Sequence, residues 1–380
     1  MRDYYEFFAG GGMVRAGLGP GWQCLFANDF DHKKSRIYRE NWGDGELKTA
    51  NVANLMPADL PVRANLAWAS FPCQDLSLAG AGAGLKGDRS GTFWPFWKLM
   101  RSLAAEDRAP KMIILENVCG TLTSHGGKDF TTICTSVQEA GYLAGALIVD
   151  AALFLPQSRP RLFVVCVKDT VDLRAQCISE APVAPWHTRI KPAYAKLPAK
   201  AKRGWVWWNP PVPSKRTTTF ADLIEADPQD VAWYSKAETQ QLIAKMSDIN
   251  SAKLKAAKKE KRRIVGGLYR RTRENESGQR VQRAEIRFDD ISGCLRTPAG
   301  GSSRQVIFVV DGSSVRARLI SKRETARLMG LPDTYRLPEN YNEAYHITGD
   351  GVVVPVVRHL AQHIFEPVID SLEVRATATA

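Results

Sequence analysis

At 380 residues and 44% hydrophobic content, the chain is long enough for two domains and has the apolar share of an ordinary globular protein. A formal charge of +12 and a pI near 9.4 favour a polyanionic partner, nucleic acid first. No apolar run of about 18 residues and no signal pattern at the N-terminus occurs, so a cytoplasmic protein without membrane contact is expected. The seven cysteines are scattered and never spaced C-x-x-C, which indicates neither a disulfide framework nor a metal site.

In chain order, Tyr4 to Phe8 reads as a short strand, followed at once by AGGGMVRAGLG from Ala9 to Gly19. Glycines between a strand and a helix let the backbone approach a ligand closely. The spacing is not the full dinucleotide fingerprint, and a tight turn alone also needs glycine. A second strand, Cys24 to Ala27, ends in Asn28, Asp29 and Phe30. In doubly wound folds an acid at the end of the second strand hydrogen-bonds ribose hydroxyls, and Asp29 fits that role. A third turn follows at Asn51 and Val52. The apolar segment Leu66 to Phe71 ends in Pro72, Cys73 and Gln74.

A fifth strand, Met112 to Leu115, ends in Glu116, Asn117 and Val118, and a sixth, Ala146 to Phe154, leads to Arg159 and Arg161 before a strand at Leu162 to Val167. Residues at the carboxyl ends of parallel strands gather around one crevice, so a cysteine, a carboxylate and two arginines reach one pocket by independent routes. Singly, each has a plain reading: a buried thiol, a strand-end cap, surface ion pairing. Near residue 174 the chain changes character. Prolines and tryptophans (Trp205, Trp207, Trp208) replace the alternating strand and helix patterns, and Lys253 to Arg273 is strongly basic, a solvated helix face or a phosphate-contacting surface.

Phe8-Ala9-Gly10-Gly11-Gly12, Pro72-Cys73-Gln74, Glu116-Asn117-Val118 and Gln157-Ser158-Arg159-Pro160-Arg161 resemble, in order and rough spacing, the motifs of the DNA cytosine-5 methyltransferases. RLISKRETARLMGLPDTY, Arg318 to Tyr335, is similar to that family's ninth motif and GDGVVVPVV, Gly349 to Val357, to its tenth. The resemblance covers residues 5 to about 173 and about 290 to 366; the segment between is the family's variable target-recognition region. It implies an α/β fold, a Rossmann-like S-adenosylmethionine-dependent domain with a mixed, mainly parallel sheet plus a smaller irregular domain. The expected limits are 1–173 for the catalytic domain, 174–312 for target recognition, and 313–380 for a segment returning to the catalytic domain.

The chemistry implied is methyl transfer from S-adenosylmethionine to carbon 5 of a flipped-out cytosine in duplex DNA. Carbon 5 is a weak nucleophile until a thiolate adds at carbon 6, and cysteine suits covalent catalysis of this kind. The resemblance makes Cys73 that nucleophile, with Arg161 and Arg159 favouring its ionised form and Glu116 binding ring N3 and the exocyclic amine. It places Phe8, Ala9, Gly10 and Gly12 around the donor's methionine part, Asp29 on the ribose, Phe30 on the adenine face and Asn51 with Val52 at the adenine edge. Pro72, Phe93, Asp350 and Gly351 complete that pocket. Two departures stand out: Asn51 replaces the usual aspartate, and Asp350 the usual asparagine. The glycine-rich loop Asp75 to Gly91 suits a lid over DNA.

For DNA, the resemblance points to Gln74 and Ser77 in the active-site loop and to the glycine-rich segment Thr297 to Gln305. There Gly300 and Gly301 would allow close backbone approach, Arg304 or Arg296 would contact a guanine edge, and Gln305 an adenine or the orphaned guanine. Lys253, Lys255, Lys258 and Lys259 would be phosphate contacts. Asn209-Pro210-Pro211-Val212 is similar to an amino-methyltransferase motif, but valine replaces the aromatic, and a proline-rich turn of the small domain is expected. The resemblance further implies a nucleoid-associated monomer, with a restriction endonuclease as its functional partner. The alternative is an RNA cytosine-5 methyltransferase; that branch carries a Cys-Phe-Thr signature absent here.

Overall fold

The computed structural model describes residues 2–72, 90–171, 173, 177–260, 262–274, 277–297 and 304–371. The chain divides into two compact units: Met1–Asp150 with Pro160–Pro213 and Val354–Ala380, and Ala151–Arg159 with Ser214–Val353.

The first unit is built on seven strands, β1 (Asp3–Phe7), β2 (Gln23–Asp29), β3 (Leu47–Thr49), β4 (Leu66–Ala69), β5 (Met112–Val118), β6 (Tyr142–Asp150) and β7 (Pro160–Lys168), in the order β3-β2-β1-β4-β5-β7-β6. The first five run parallel, while β7 inserts antiparallel between β5 and β6. This is the mixed, mainly parallel sheet expected. Strands β4 and β5 are apolar almost throughout because helices cover both faces of such a sheet. Helices α1 (Met13–Leu18), α2 (His32–Trp42), α3 (Phe93–Ala105) and α4 (Lys128–Glu139) flank it. Tyr5 and Phe7 share one core with Phe93 and Phe96 of α3 and Phe130 of α4. On the other side Gly17 of α1 lies so close to the helix Val354–Leu360 that a Cβ there would fall 2.4 Å from Val357 Cβ.

This unit does not stop at residue 173. Beyond it come β8 (Ile178–Ser179), α5 (Lys191–Ala195), α6 (Ala199–Arg203) and β9 (Trp207–Trp208). Val206 N donates to Ala144 O at 2.9 Å, the Trp208 indole donates to Val165 O at 3.1 Å, and Trp205, Trp207 and Tyr194 form one aromatic cluster. The boundary therefore moves to Pro213, because the tryptophans that looked irregular cover the β6 edge. Asn209 to Val212 belongs to this first unit, not to the small domain.

The second unit holds an antiparallel sheet of β10 (Ile264–Glu274), β11 (Arg280–Arg287), β12 (Val306–Asp311) and β13 (Ser314–Leu319), ordered β11-β10-β12-β13. Leu268, Ile286, Phe308 and Ala317 form its core with Leu254 and Ala257 of α8 (Asp248–Lys259), which follows α7 (Lys236–Ala244). Helices α9 (Lys322–Leu328) and α10 (Tyr341–Asp350) follow the sheet. Ser235 and Ser321 start α7 and α9 with reciprocal bonds to Glu238 and Glu324. A buried Arg318–Glu324 ion pair ties β13 to α9. Residues 314–353 thus stay with the second unit, and only the chain from Val354 onward rejoins the first.

Candidate active site

Within the first unit, register brings the expected residues to one edge of the sheet. Phe7 pairs with Asn28 and with Ala69, and Ala69 pairs with Leu115, so the residues just beyond them, Phe8, Asp29, Ser70 and Glu116, fall in one row near the carboxyl ends of neighbouring strands. The strand order reverses between β1 and β4, where doubly wound sheets bind ligands.

After β1 the backbone turns sharply. Phe8, Gly10 and Gly12 all have positive φ (59°, 56° and 78°), a conformation costly for a non-glycine residue. Asp29 holds this turn: its carboxylate accepts from Gly10 N at 2.8 Å and from Asp31 N at 2.9 Å. Burial raises the pKa of Asp29. Trp42 closes the loop from behind, its indole donating to Gly11 O at 3.0 Å, and a Cβ on Gly12 would lie 2.3 Å from Trp42 Nε1. By contrast, the space beside Gly10 is open. Phe30, next to Asp29, is 65% exposed, unusual for a large aromatic residue. Val52 is buried, and exposed Asn51 caps the following turn, its amide oxygen accepting from Ala53 N at 2.9 Å. Phe93 differs from expectation: it is fully buried, stacked on Trp97 with ring centroids 6.0 Å apart, and has no surface to offer a ligand.

At the end of β5, Glu116 is mostly buried and pairs with Arg161, Nε to Oε1 3.4 Å. Arg161 lies opposite Val118 on β7, so the pair is diagonal across neighbouring antiparallel strands and on one face. Asn117, whose role was not read from the sequence, donates to Phe71 O at 3.1 Å and accepts from Thr121 Oγ1 at 3.2 Å. That ties the exit of β4 at Phe71, next to half-buried Pro72, to β5. Cys73, Gln74 and Ser77 lie outside the described residues, as does the expected lid through residue 89.

Beneath the loop is a feature with no signal in the sequence. Glu6 points to the second face of β1, fully buried, with neither carboxylate oxygen hydrogen-bonded. Burial pushes its pKa up to about 8, with Arg15 opposing and Asp29 adding to the rise.

The other expected residues belong to the second unit. Arg159, expected beside the thiolate, is buried and donates to Leu295 O (2.9 Å), Gly349 O (2.8 Å) and Gly351 O (2.7 Å). Those partners make it a clamp on the ends of α10 and of the segment before Arg296. Asp350 accepts from Thr297 Oγ1. Arg296 is exposed, whereas Arg304 donates Nε and Nη2 to Asn342 Oδ1 at 2.9 and 2.6 Å. Gln305 is only 6% exposed, its amide wedged against Gly267, which removes it from base contact in this structure. Lys253, Lys255 and Lys259 are exposed on α8 and Lys258 half-buried. Gly300 and Gly301 lie outside the described residues.

A family model described as C-5 cytosine-specific DNA methylase matches residues 3–366. The chain belongs to that family. It is 21% identical over 366 residues to Type II methyltransferase M.HhaI of Haemophilus parahaemolyticus, covering 95% of this chain and 93% of that protein. Type II methyltransferase M.NlaX of Neisseria lactamica is 26% identical over 374 residues, with 96% of each chain covered. Among solved structures, the Dnmt2 methyltransferase of S. pombe has the same fold, with a TM-score of 0.60 at 16% identity over 97% of this chain and 99% of that one. This C-5 cytosine methylase is therefore an enzyme, and among its described residues no helix is long and apolar enough to cross a membrane.

Proposed function

We propose that this methylase transfers a methyl group from S-adenosylmethionine to carbon 5 of a flipped-out cytosine in a specific duplex DNA sequence, through a covalent bond between Cys73 and carbon 6. The observation that carries the reading is the Glu116–Arg161 pair at the strand edge, with Asn117 tethering Phe71, two residues before Cys73 in the chain. The description of the matching family as a C-5 cytosine-specific DNA methylase favours DNA as substrate.

The donor fits the residues present. The open side of Gly10, the positive-φ turn and the exposed Phe30 ring form a cradle. Phe8, Ala9, Gly10 and Gly12 would line the methionine part, Phe30 the adenine face, and Asn51 with Val52 its edge. Asp29 would meet the ribose with the lone pairs left after Gly10 N and Asp31 N. Asn51 Oδ1 already accepts from Ala53 N, so its second lone pair would take the adenine amine. When bound, S-adenosylmethionine supplies the electrophilic methyl group.

On the chain's side, the Cys73 thiolate adds to carbon 6 while Glu116 hydrogen-bonds N3 and the exocyclic amine, and the pair of electrons displaced from the 5,6 double bond makes carbon 5 nucleophilic. Arg161 holds Glu116 in place and adds positive charge. Once carbon 5 carries the methyl group, water or hydroxide takes its proton, the C–H electrons restore the 5,6 double bond, and the bond to Cys73 breaks to release the thiolate. Extrusion of the base costs a few kcal/mol of unstacking and unpairing. Lys253, Lys255, Lys258 and Lys259 are proposed phosphate contacts, Arg296 the base reader left exposed, a restriction endonuclease the functional partner, and a monomer the working state.

The test is methylation sequencing of DNA from a methylation-free host expressing the wild type or Cys73→Ser. 5-Methylcytosine at one recurrent motif, only with Cys73 intact, is expected. Unmarked DNA in both strains, or marked RNA instead, overturns the reading.

A further inference from the structure

The hairpin of β10 and β11 extends past the sheet that anchors it. Strand β12 pairs with β10 only over Ile264–Leu268, whereas β11 stays paired with β10 from Gly267–Arg287 out to Glu274–Arg280. From Tyr269 outward, β10 therefore has one strand neighbour, and Arg271 to Glu274 are exposed. Side chains alternate across a strand, so Tyr269, Arg271 and Arg273 share a face with Val281, Arg283 and Glu285.

On that face Arg271 stands directly opposite Arg283. Like charges in such a position destabilise a hairpin. Glu285 relieves only one side of it, pairing with Arg271 at 3.3 Å and Arg273 at 2.6 Å. Nearby Arg287 is already paired with Asp289. Among the described residues Arg283 has no carboxylate or hydrogen-bond partner, while Lys245 donates to Gln282 on the other face of β11. The opposite face carries Arg270, Glu274 and Arg280, so neither face has a net negative charge. A projecting two-stranded ribbon of this charge matches the major groove of duplex DNA, about 12 Å wide and able to admit such a ribbon.

We propose that Arg271 and Arg283 form a duplex-DNA contact at the end of this ribbon, Arg283 supplying the free guanidinium. The inference rests on the DNA reading above and names the element that carries recognition. Its ligand is an acceptor oxygen of DNA, from a phosphodiester or from a guanine edge, since a guanidinium fork fits both.

The experiment uses the full chain with Arg271→Gln, Arg283→Gln, the double variant and Arg283→Lys. Affinity for a duplex bearing the methylated motif is measured across a salt series, the motif is mapped by methylation sequencing, and folding is followed by thermal melting. Removing one member of the opposed pair should leave Tm unchanged or higher, while the double variant binds at least ~10-fold more weakly, as removal of two charge-assisted hydrogen bonds implies. If the ligand is phosphate, the slope of log affinity against log salt shrinks by about 0.9 for each phosphate no longer neutralised, and Arg283→Lys retains the wild-type slope. For a guanine edge, the motif loses discrimination at one position and Arg283→Lys does not restore it. Unchanged affinity, slope and motif in the double variant, beside a wild type that methylates DNA, overturn the ribbon contact alone. A wild type that neither binds nor methylates duplex DNA overturns both readings together.

Discussion

Arg161 of β7 sits 3.4 Å from the Glu116 carboxylate of β5, although 45 positions separate the two in the chain (161 − 116). The contact exists because β7 returns antiparallel beside β5 with Val118 opposite Arg161. If Glu116 stabilises charge on the cytosine ring, Glu116→Gln should lower kcat by about 10²–10³-fold with little change in Tm, the effect typical of removing one stabilising group. Arg161→Ala should lower it as well, and the double variant should lose less than the product of the two, because the residues act as a unit. Single-turnover methyl transfer checks this; strictly multiplicative losses would separate the two roles.

Asn117 should behave differently. Asn117→Ala removes the donor to Phe71 O and the acceptor for Thr121, and should cost about 1–3 kcal/mol of stability. Because Phe71 leads directly to Cys73, kcat should also fall while affinity for S-adenosylmethionine holds. Chemical denaturation and calorimetric titration of the donor read the two effects separately.

Gly12→Ala should weaken donor binding. Its φ of 78° disfavours any side chain, and the new Cβ would meet Trp42 Nε1 at 2.3 Å, forcing the indole off Gly11 O. Strain of about 1–3 kcal/mol should appear as a lower Tm, together with a higher Kd for S-adenosylmethionine. Gly10→Ala meets no neighbouring atom and carries only the φ penalty, so its effect on Tm should be smaller.

The buried Glu6 makes stability fall with rising pH. Its folded-state pKa, about 8, lies above the ordinary value of 4.5. Between those values the folded chain holds a proton that the unfolded chain has released, so stability declines from about pH 4.5 to about pH 8 by at most about 1.4 kcal/mol per unit. Below that window the penalty is absent; above it the penalty is complete. Besides burial, Arg15 and the Val14 backbone lower the pKa of Glu6 and Asp29 raises it; Tyr4, Cys24 and Tyr38 are raised by burial first and by Glu6 in addition. Denaturation of wild type and Glu6→Gln across this range should show the difference growing with pH. A constant difference would mean that Glu6 is ionised throughout.

The tryptophan segment should be part of the catalytic unit's stability. Trp208→Ala should cost about 3–5 kcal/mol, the range for a buried aromatic residue, since Trp208 is fully buried and bonded to Val165 O. A fragment ending at residue 173 should accordingly fail to give a cooperative melt, whereas the full chain melts cooperatively.

Local pattern made much of this protein legible. Alternating strand and helix runs with glycines and polar residues at the strand ends identify β1, β2, β4 and β5, and place Phe8, Asp29, Pro72 and Glu116 at one edge, because a parallel sheet puts every strand's carboxyl end on the same side. Burial and long-range pairing were not legible. Arg159 and Arg161 look equivalent two residues apart, yet one clamps carbonyls in the second unit and the other pairs with Glu116. Phe93 and Gln305 resemble ligand contacts in the sequence and prove to be packed inside. Trp205 to Trp208 lack periodicity because they cover a sheet edge rather than extend a regular face, and the Arg271–Arg283 opposition depends on hairpin register. Neighbouring residues are enough to specify the family motifs and the chemistry at the strand ends, since both are written in short contiguous stretches. Which side chains face one another is a property of the folded chain, because cross-strand register and packing join positions that no local pattern connects.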